Sequence, residues 1–153
     1  MEKIRISSSL KSFVLLDKIT RVDQKYICGN RYFSDGPYYT CIEAIAQLGA
    51  YHVRFITKFT RHAFLLKIDC MTLKDIGKET ASLNGKFNFS ASLTDKSKSA
   101  FVYNVCARKN KMLFCEGKFL FASIDYNYKF DKNILKDHYQ KVFLCLMNDS
   151  KTA

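Results

Sequence analysis

Hydrophobic positions along this chain change their period twice. Over residues 13–33 they fall in strand fashion: Phe13, Val14, Leu15 and Leu16, then Ile19 and Val22, and, beyond the polar Asp23-Gln24-Lys25, Tyr26-Ile27-Cys28 and Tyr32-Phe33. This predicts two strands joined by a hairpin turn. From about residue 38 to 59 the spacing becomes helical. Ile42, Ala46, Gly49, Val53 and Ile56 share one stripe, widened by Cys41, Ile45, Leu48, Phe55 and Phe59, while Glu43, Gln47, Ala50, Arg54 and Lys58 lie opposite. A helix apolar around so much of its girth must be wrapped by other structure. Gly49 at its middle costs about 1 kcal/mol relative to alanine, so the spacing predicts a close approach there by a strand or second helix.

After a basic segment at residues 57–62 the strand period returns. Residues 63–73 form one run. Residues 80–94 follow, with Leu83, Phe87, Phe89, Ala91 and Leu93 at period two, and then residues 99–107, with Phe101, Tyr103, Val105 and Ala107 on one face. In residues 112–124 two sets alternate, Met112, Phe114, Glu116, Lys118 and Leu120 against Leu113, Cys115, Gly117, Phe119 and Phe121, and either can face inward. Short polar turns at residues 95–98 and 108–111 make the last three runs an antiparallel meander. Helical spacing resumes at residues 131–148, in Ile134, Leu135, His138, Val142, Phe143 and Leu146, with Asp131 placed to cap. This tail either packs on the domain or carries an interaction. No linker or repeat interrupts residues 1–153, so the expectation is one α+β domain: an antiparallel sheet wrapped around one long central helix, core about 13–124, helical tail about 131–148.

The helix start holds the candidate chemistry. Pro37, the only proline, reads as a first-turn residue, where its missing N–H would have had no helical partner. Ser34 or Asp35 can supply a capping oxygen. Glu43 inside this helix is either a catalytic group or a charge favoured by the helix dipole.

Composition narrows the classes. With 153 residues and 48% hydrophobic content, the chain can bury a core and is not a disordered segment. No apolar run approaches the roughly 20 residues that span a bilayer, and residues 1–10 lack the apolar core of a secretory signal, so a cytoplasmic protein is expected. The six cysteines, at 28, 41, 70, 106, 115 and 145, are scattered without a C-x-x-C pair. They read as small core residues in a reducing compartment, not as disulfides or a metal site, and no cofactor is expected. A net charge of +11 suits an acidic partner or a lysine-rich solvated surface equally. No arginine-rich stripe or nucleic-acid motif accompanies it.

Several pieces in one order carry a resemblance. Residues 15–23, Leu-Leu-Asp-Lys-Ile-Thr-Arg-Val-Asp, resemble an opening "LLDRV-x-x-VD" strand. Tyr32-Phe33 stands as an aromatic pair, Pro37-x5-Glu43-Ala44-Ile45-Ala46-Gln47 is similar to "P-x5-E-A-[LI]-A-Q", and Ala63-Phe64-Leu65-Leu66 with Asp69 is similar to the next strand. Over about residues 13–124 the chain resembles the hot-dog-fold (3R)-hydroxyacyl-[acyl carrier protein] dehydratases, and among them the divergent dehydratase-like proteins of aryl polyene clusters. Typical members have "GHFPG" after the aromatic pair, and its histidine is the general base. Here only Ser34-Asp35-Gly36 separates Phe33 from Pro37, so the histidine is absent.

The resemblance implies a hot-dog fold and an acyl-thioester site at the helix start. It gives Glu43 the role of the acid, Gln47 that of orienting it, and Gly36, Tyr38 and Tyr39 the substrate contacts, Tyr38 standing where a glycine N–H usually polarises the carbonyl. Asp35 is the only ionisable group of the short loop, as a helix cap or as a replacement base. His52 falls on the far side of the helix from Glu43, and His62 lies roughly 28 Å along its axis. Neither reaches Glu43 within one chain, and His52 reads as a buried, hydrogen-bonded histidine. The implied activity is that of a dehydratase-like lyase of fatty acid or polyketide type; the alternatives are a thioesterase using Glu43 and a non-catalytic acyl-binding subunit. Implied partners are an acyl carrier protein or coenzyme A thioester and a second hot-dog subunit, identical or related, with neither nucleic acid nor membrane. Arg54, Lys58 and Arg61 are expected to cluster where an acidic carrier could dock.

Overall fold

The structure is a computed structural model that describes residues 14–73, 82–126 and 131–148. Phe13 and the first residues of the run expected at 80–94 lie outside the described residues. The elements follow as β1 (Lys18–Val22), β2 (Tyr26–Pro37), α1 (Tyr39–Ile56), β3 (Arg61–Leu73), β4 (Ser82–Lys96), β5 (Ala100–Lys109), β6 (Met112–Asp125) and α2 (Lys132–Asn148). The strands form one sheet in the order β1-β2-β4-β5-β6-β3, and every neighbouring pair is antiparallel.

Local chemistry sets the turns. Between β1 and β2 the Asp23 carboxylate accepts the N–H groups of Lys25 (2.7 Å) and Tyr26 (3.0 Å), an Asx turn. Between β5 and β6, Asn110 and Lys111 both take positive φ, 51° and 66°, as a two-residue hairpin turn matching the twist of its strands requires.

The sheet wraps α1 as expected. Phe87, Phe89 and Ala91 of β4 and Phe101, Tyr103, Val105 and Ala107 of β5 face inward, and on β6 the buried set is Cys115, Phe119 and Phe121. From α1 they meet Cys41, Ala44, Ile45, Leu48 and Val53. Each large apolar side chain so buried contributes about 1.5–3 kcal/mol. Gly49 has the close approach predicted for it: a Cβ there would collide with the Phe121 ring.

Three expectations are corrected. The helix ends at Ile56 rather than near 59, because Lys58 and Phe59 take positive φ, 55° and 57°, and turn the chain back so that the Phe59 ring is buried. Asp35 and Pro37 do not open the helix. Both belong to β2, whose pairing with β4 shifts register between Phe33 and Gly36 and resumes with Gly36 opposite Leu83 and Pro37 opposite Ser82. Pro37 ends the strand, where a missing N–H is tolerated. The buried side of α1 also extends to Ala50, Tyr51 and Arg54, while Ile42 and Ala46 are only half-buried.

The last correction has its cause in α2. Asp131 caps this helix, its carboxylate accepting the N–H groups of Asn133 (2.9 Å) and Ile134 (3.2 Å). The Phe143 ring then packs on α1 and the turn beyond it, with centroids 5.4 Å from Phe59, 5.9 Å from Phe55 and 6.2 Å from Tyr51. The tail thus packs on the domain and covers a helix face that spacing alone leaves to solvent.

Candidate functional site

The start of α1 is bare. Its cap residue, Tyr38, is itself helical (φ −59°, ψ −32°) and makes no side-chain capping bond. Thr40 Oγ1 donates backwards to the Pro37 carbonyl at 2.5 Å. Among the described residues no capping side chain therefore takes up the first-turn N–H groups, which carry the positive end of the helix dipole. Tyr38 and Tyr39 are exposed, their rings 6.1 Å apart and edge-on. Glu43, one turn after Tyr39 and on the same face, is exposed as well.

Gln47 lies one turn beyond Glu43 and is half-buried. Its Oε1 accepts the Leu15 N–H at 2.8 Å, which fastens the segment before β1 across the helix. Asp35 stands apart. It takes φ 56° in the β2 bulge, and its backbone N–H donates to Asn84 Oδ1 at 2.8 Å. It is not the helix cap: that position belongs to Tyr38, and the bulge keeps the exposed Asp35 carboxylate in the strand.

His52 is a core residue. It is fully buried, with Nε2 2.7 Å from the Asp23 carbonyl and Nδ1 2.6 Å from the Tyr103 hydroxyl. A carbonyl only accepts, so Nε2 carries the proton and Nδ1 accepts from Tyr103. Burial lowers the pKa of His52 and raises that of Tyr103, which keeps both neutral. His62, on β3, is half-buried; burial first and then the Arg54 charge lower its pKa.

The expected basic cluster is dispersed. Arg54 is only 5% exposed, so it is removed from any surface patch. Arg61 spans to β6: Nε donates to Ser123 Oγ (2.9 Å), Nη2 to the Ser123 carbonyl (3.0 Å) and Nη1 to Asp125 Oδ1 (2.5 Å). Lys58 alone of the three is exposed. Of the cysteines, Cys41 and Cys115 are fully buried, whereas Cys70 and Cys145 are exposed, so the core reading fits only part of the set. Among the described residues no three His, Cys, Asp or Glu side chains gather as metal ligands, and no helix is long and apolar enough to cross a membrane.

Spacing did not reveal a cavity of about 370 Å³ between α1 and α2. Ala46, Gln47, Ala50, Tyr51 and Arg54 line it from α1, Leu135, His138 and Tyr139 from α2, and Val14 and Leu65 complete the lining. The available signal was an arginine in the mostly apolar second half of the helix together with Tyr139 and Phe143 at i, i+4 in the tail.

In sequence, no family model and no curated protein matches the chain. In structure it is similar to a conserved protein of Pseudomonas aeruginosa, PA5202, at 15% identity and TM-score 0.62, covering 80% of this chain and all of that one. It is also similar to thioesterase HI1161 from Haemophilus influenzae (12% identity, TM-score 0.60, 78% and 85% of the two chains). The dehydratase heterocomplex ApeI:P from Xenorhabdus doucetiae is a further likeness (13% identity, TM-score 0.55, 80% and 89%). Likeness at such identities speaks to architecture: the chain has the hot-dog fold, an antiparallel sheet wrapped around a central helix.

Proposed function

We propose that the chain acts on an acyl thioester at the start of α1, with Glu43 as the general base for hydrolysis. The observation that carries this reading is one exposed carboxylate, a turn inside a helix start that no side chain caps among the described residues, with His52 fully engaged in the core. Hydrolysis needs one base. Glu43 takes a proton from water, the water oxygen bonds to the carbonyl carbon, and the first-turn amides hold the oxyanion; the C–S bond then breaks and the thiolate takes up the proton. Tyr38 and Tyr39 flank the acyl carbonyl, Gly36 lets the chain approach it, and the carrier is coenzyme A or an acyl carrier protein that meets Lys58.

Dehydration of a 3-hydroxyacyl thioester is the second reading. The Pro37-x5-Glu43-x3-Gln47 pattern and the likeness to a dehydratase heterocomplex favour it. It needs a base besides Glu43, from Asp35 or from a second hot-dog subunit. The outer strand β3 offers an edge for such a subunit, presenting Phe64, Leu66 (57% exposed) and Ile68 to solvent.

Butyryl-coenzyme A hydrolysis and crotonyl-coenzyme A hydration, assayed on wild type and Glu43→Gln, separate the readings. Hydrolysis lowered about 10²–10⁴-fold in the variant is the expected outcome. Hydration without hydrolysis moves the assignment to the second reading, and a fully active variant overturns both.

A further inference from the structure

Arg54 is a buried cation to which no carboxylate is paired among the described residues. Its guanidinium lies 3.7 Å from the Tyr139 ring centroid and 5.5 Å from that of Tyr51. Nη2 donates to the Ala63 carbonyl at 2.8 Å, but Nε is buried without a partner. The hydroxyl of Tyr126, whose titration the Arg54 charge affects, is likewise buried without one. The Tyr51 and Tyr126 phenols supply no negative charge. Burial raises the pKa of Tyr51 to about 12 and raises that of Tyr126. Burial also pulls Arg54 below its ordinary value, with Tyr139, Tyr51 and Tyr126 opposing. A buried charge ordinarily comes with its counter-charge.

Arg54 also lines the α1–α2 cavity, where Val14, Ala46, Ala50, Leu65 and Leu135 form an apolar wall and Gln47, Tyr51, His138 and Tyr139 complete the lining. At about 370 Å³ it falls within the range of small-molecule sites. We propose that this cavity binds an aliphatic carboxylate, whose headgroup pairs with the Arg54 guanidinium and whose chain lies along the Ala46–Ala50 and Leu135 walls. One delocalised cation beside an apolar wall matches one negative charge on an apolar body, and the planar guanidinium fork suits a carboxylate. Arg54 lies about 16 Å along α1 from Glu43, and the proposal does not depend on any reaction there.

The test is calorimetric titration of the full chain with sodium decanoate and with decan-1-ol. Saturable decanoate binding at one site, stronger than that of the alcohol by about tenfold or more, is expected. Arg54→Met should bring the two ligands to the same affinity. Equal affinities in the wild type, a preference that survives in Arg54→Met, or displacement of decanoate by equimolar inorganic phosphate would each overturn the proposal. Should Arg54→Met not fold, Leu135→Trp keeps the question open to measurement, because the chain has no other tryptophan. Its emission should shift saturably with decanoate at about tenfold lower concentration than with the alcohol; the same half-saturation for both, or no response to either, overturns the proposal.

Discussion

At its front end α1 leaves its polar groups to water, whereas at its back end it hides them. Tyr38, Tyr39 and Glu43 are exposed around an uncapped first turn. Four turns later His52 and Arg54 are buried, one against the sheet and the β1–β2 turn, the other beneath α2. A side chain in water adds little to stability, so chemistry can select the front residues freely. A buried polar group must find partners or cost the fold, so the back residues are judged by how completely they are satisfied. Both ring nitrogens of His52 are used, which marks it as structural. Arg54 is only partly used, which marks it as waiting for a ligand.

Measurements of stability can break this comparison. The largest effect is expected for Phe143→Ala, which removes the ring that holds α2 on Tyr51, Phe55 and Phe59; urea unfolding should show a loss of about 3–5 kcal/mol. A loss under about 1 kcal/mol would mean that α2 is a passive appendage and that the back end is not enclosed.

His52→Leu comes next. It leaves the Tyr103 hydroxyl and the Asp23 carbonyl without their partners, at a cost of about 1–3 kcal/mol. It should also flatten the pH dependence. The native pKa of His52 is lowered, so the unfolded chain takes up the proton first. Its contribution is complete above the ordinary value of 6.5 and is lost as the pH falls from there toward the lowered native value. His62 shifts in the same direction, so the variant should retain a shallower slope; an unchanged slope would contradict the buried neutral imidazole.

The smallest effect belongs to the surface. Asp125→Asn removes the ion pair to Arg61, but with the carboxylate 86% exposed the change should stay within about 1 kcal/mol.

What the sequence disclosed follows the range of the interactions responsible. The inward faces of β4 and β5 followed from period-two spacing, and Gly49 announced the contact with Phe121, because both depend on local geometry and one neighbouring layer. Asp131 announced its cap for the same reason. The Asp35-Gly36-Pro37 stretch misled: its residue types suit a helix entry, yet pairing with β4 and a bond to Asn84, 49 residues away, makes it a bulged strand end. Arg54 misled as well, because a helical wheel assigns charge to solvent and cannot register a covering helix that arrives from the far end of the chain. Both faces of β6 remained open because each carries apolar residues. At the candidate site, Glu43 and Gln47 were found through a spacing resemblance, while the cavity beside Gln47 needed α2 in place.

The bond from the Leu15 N–H to Gln47 Oε1 has a practical use. It gives the chain a built-in reporter: one backbone amide whose hydrogen exchange depends on a single side chain at the wall of the cavity. Ligand that displaces the Gln47 carboxamide would release this amide to solvent, and ligand that braces it would slow its exchange, so occupancy could be followed on the unmodified protein without a dye or a chromogenic substrate.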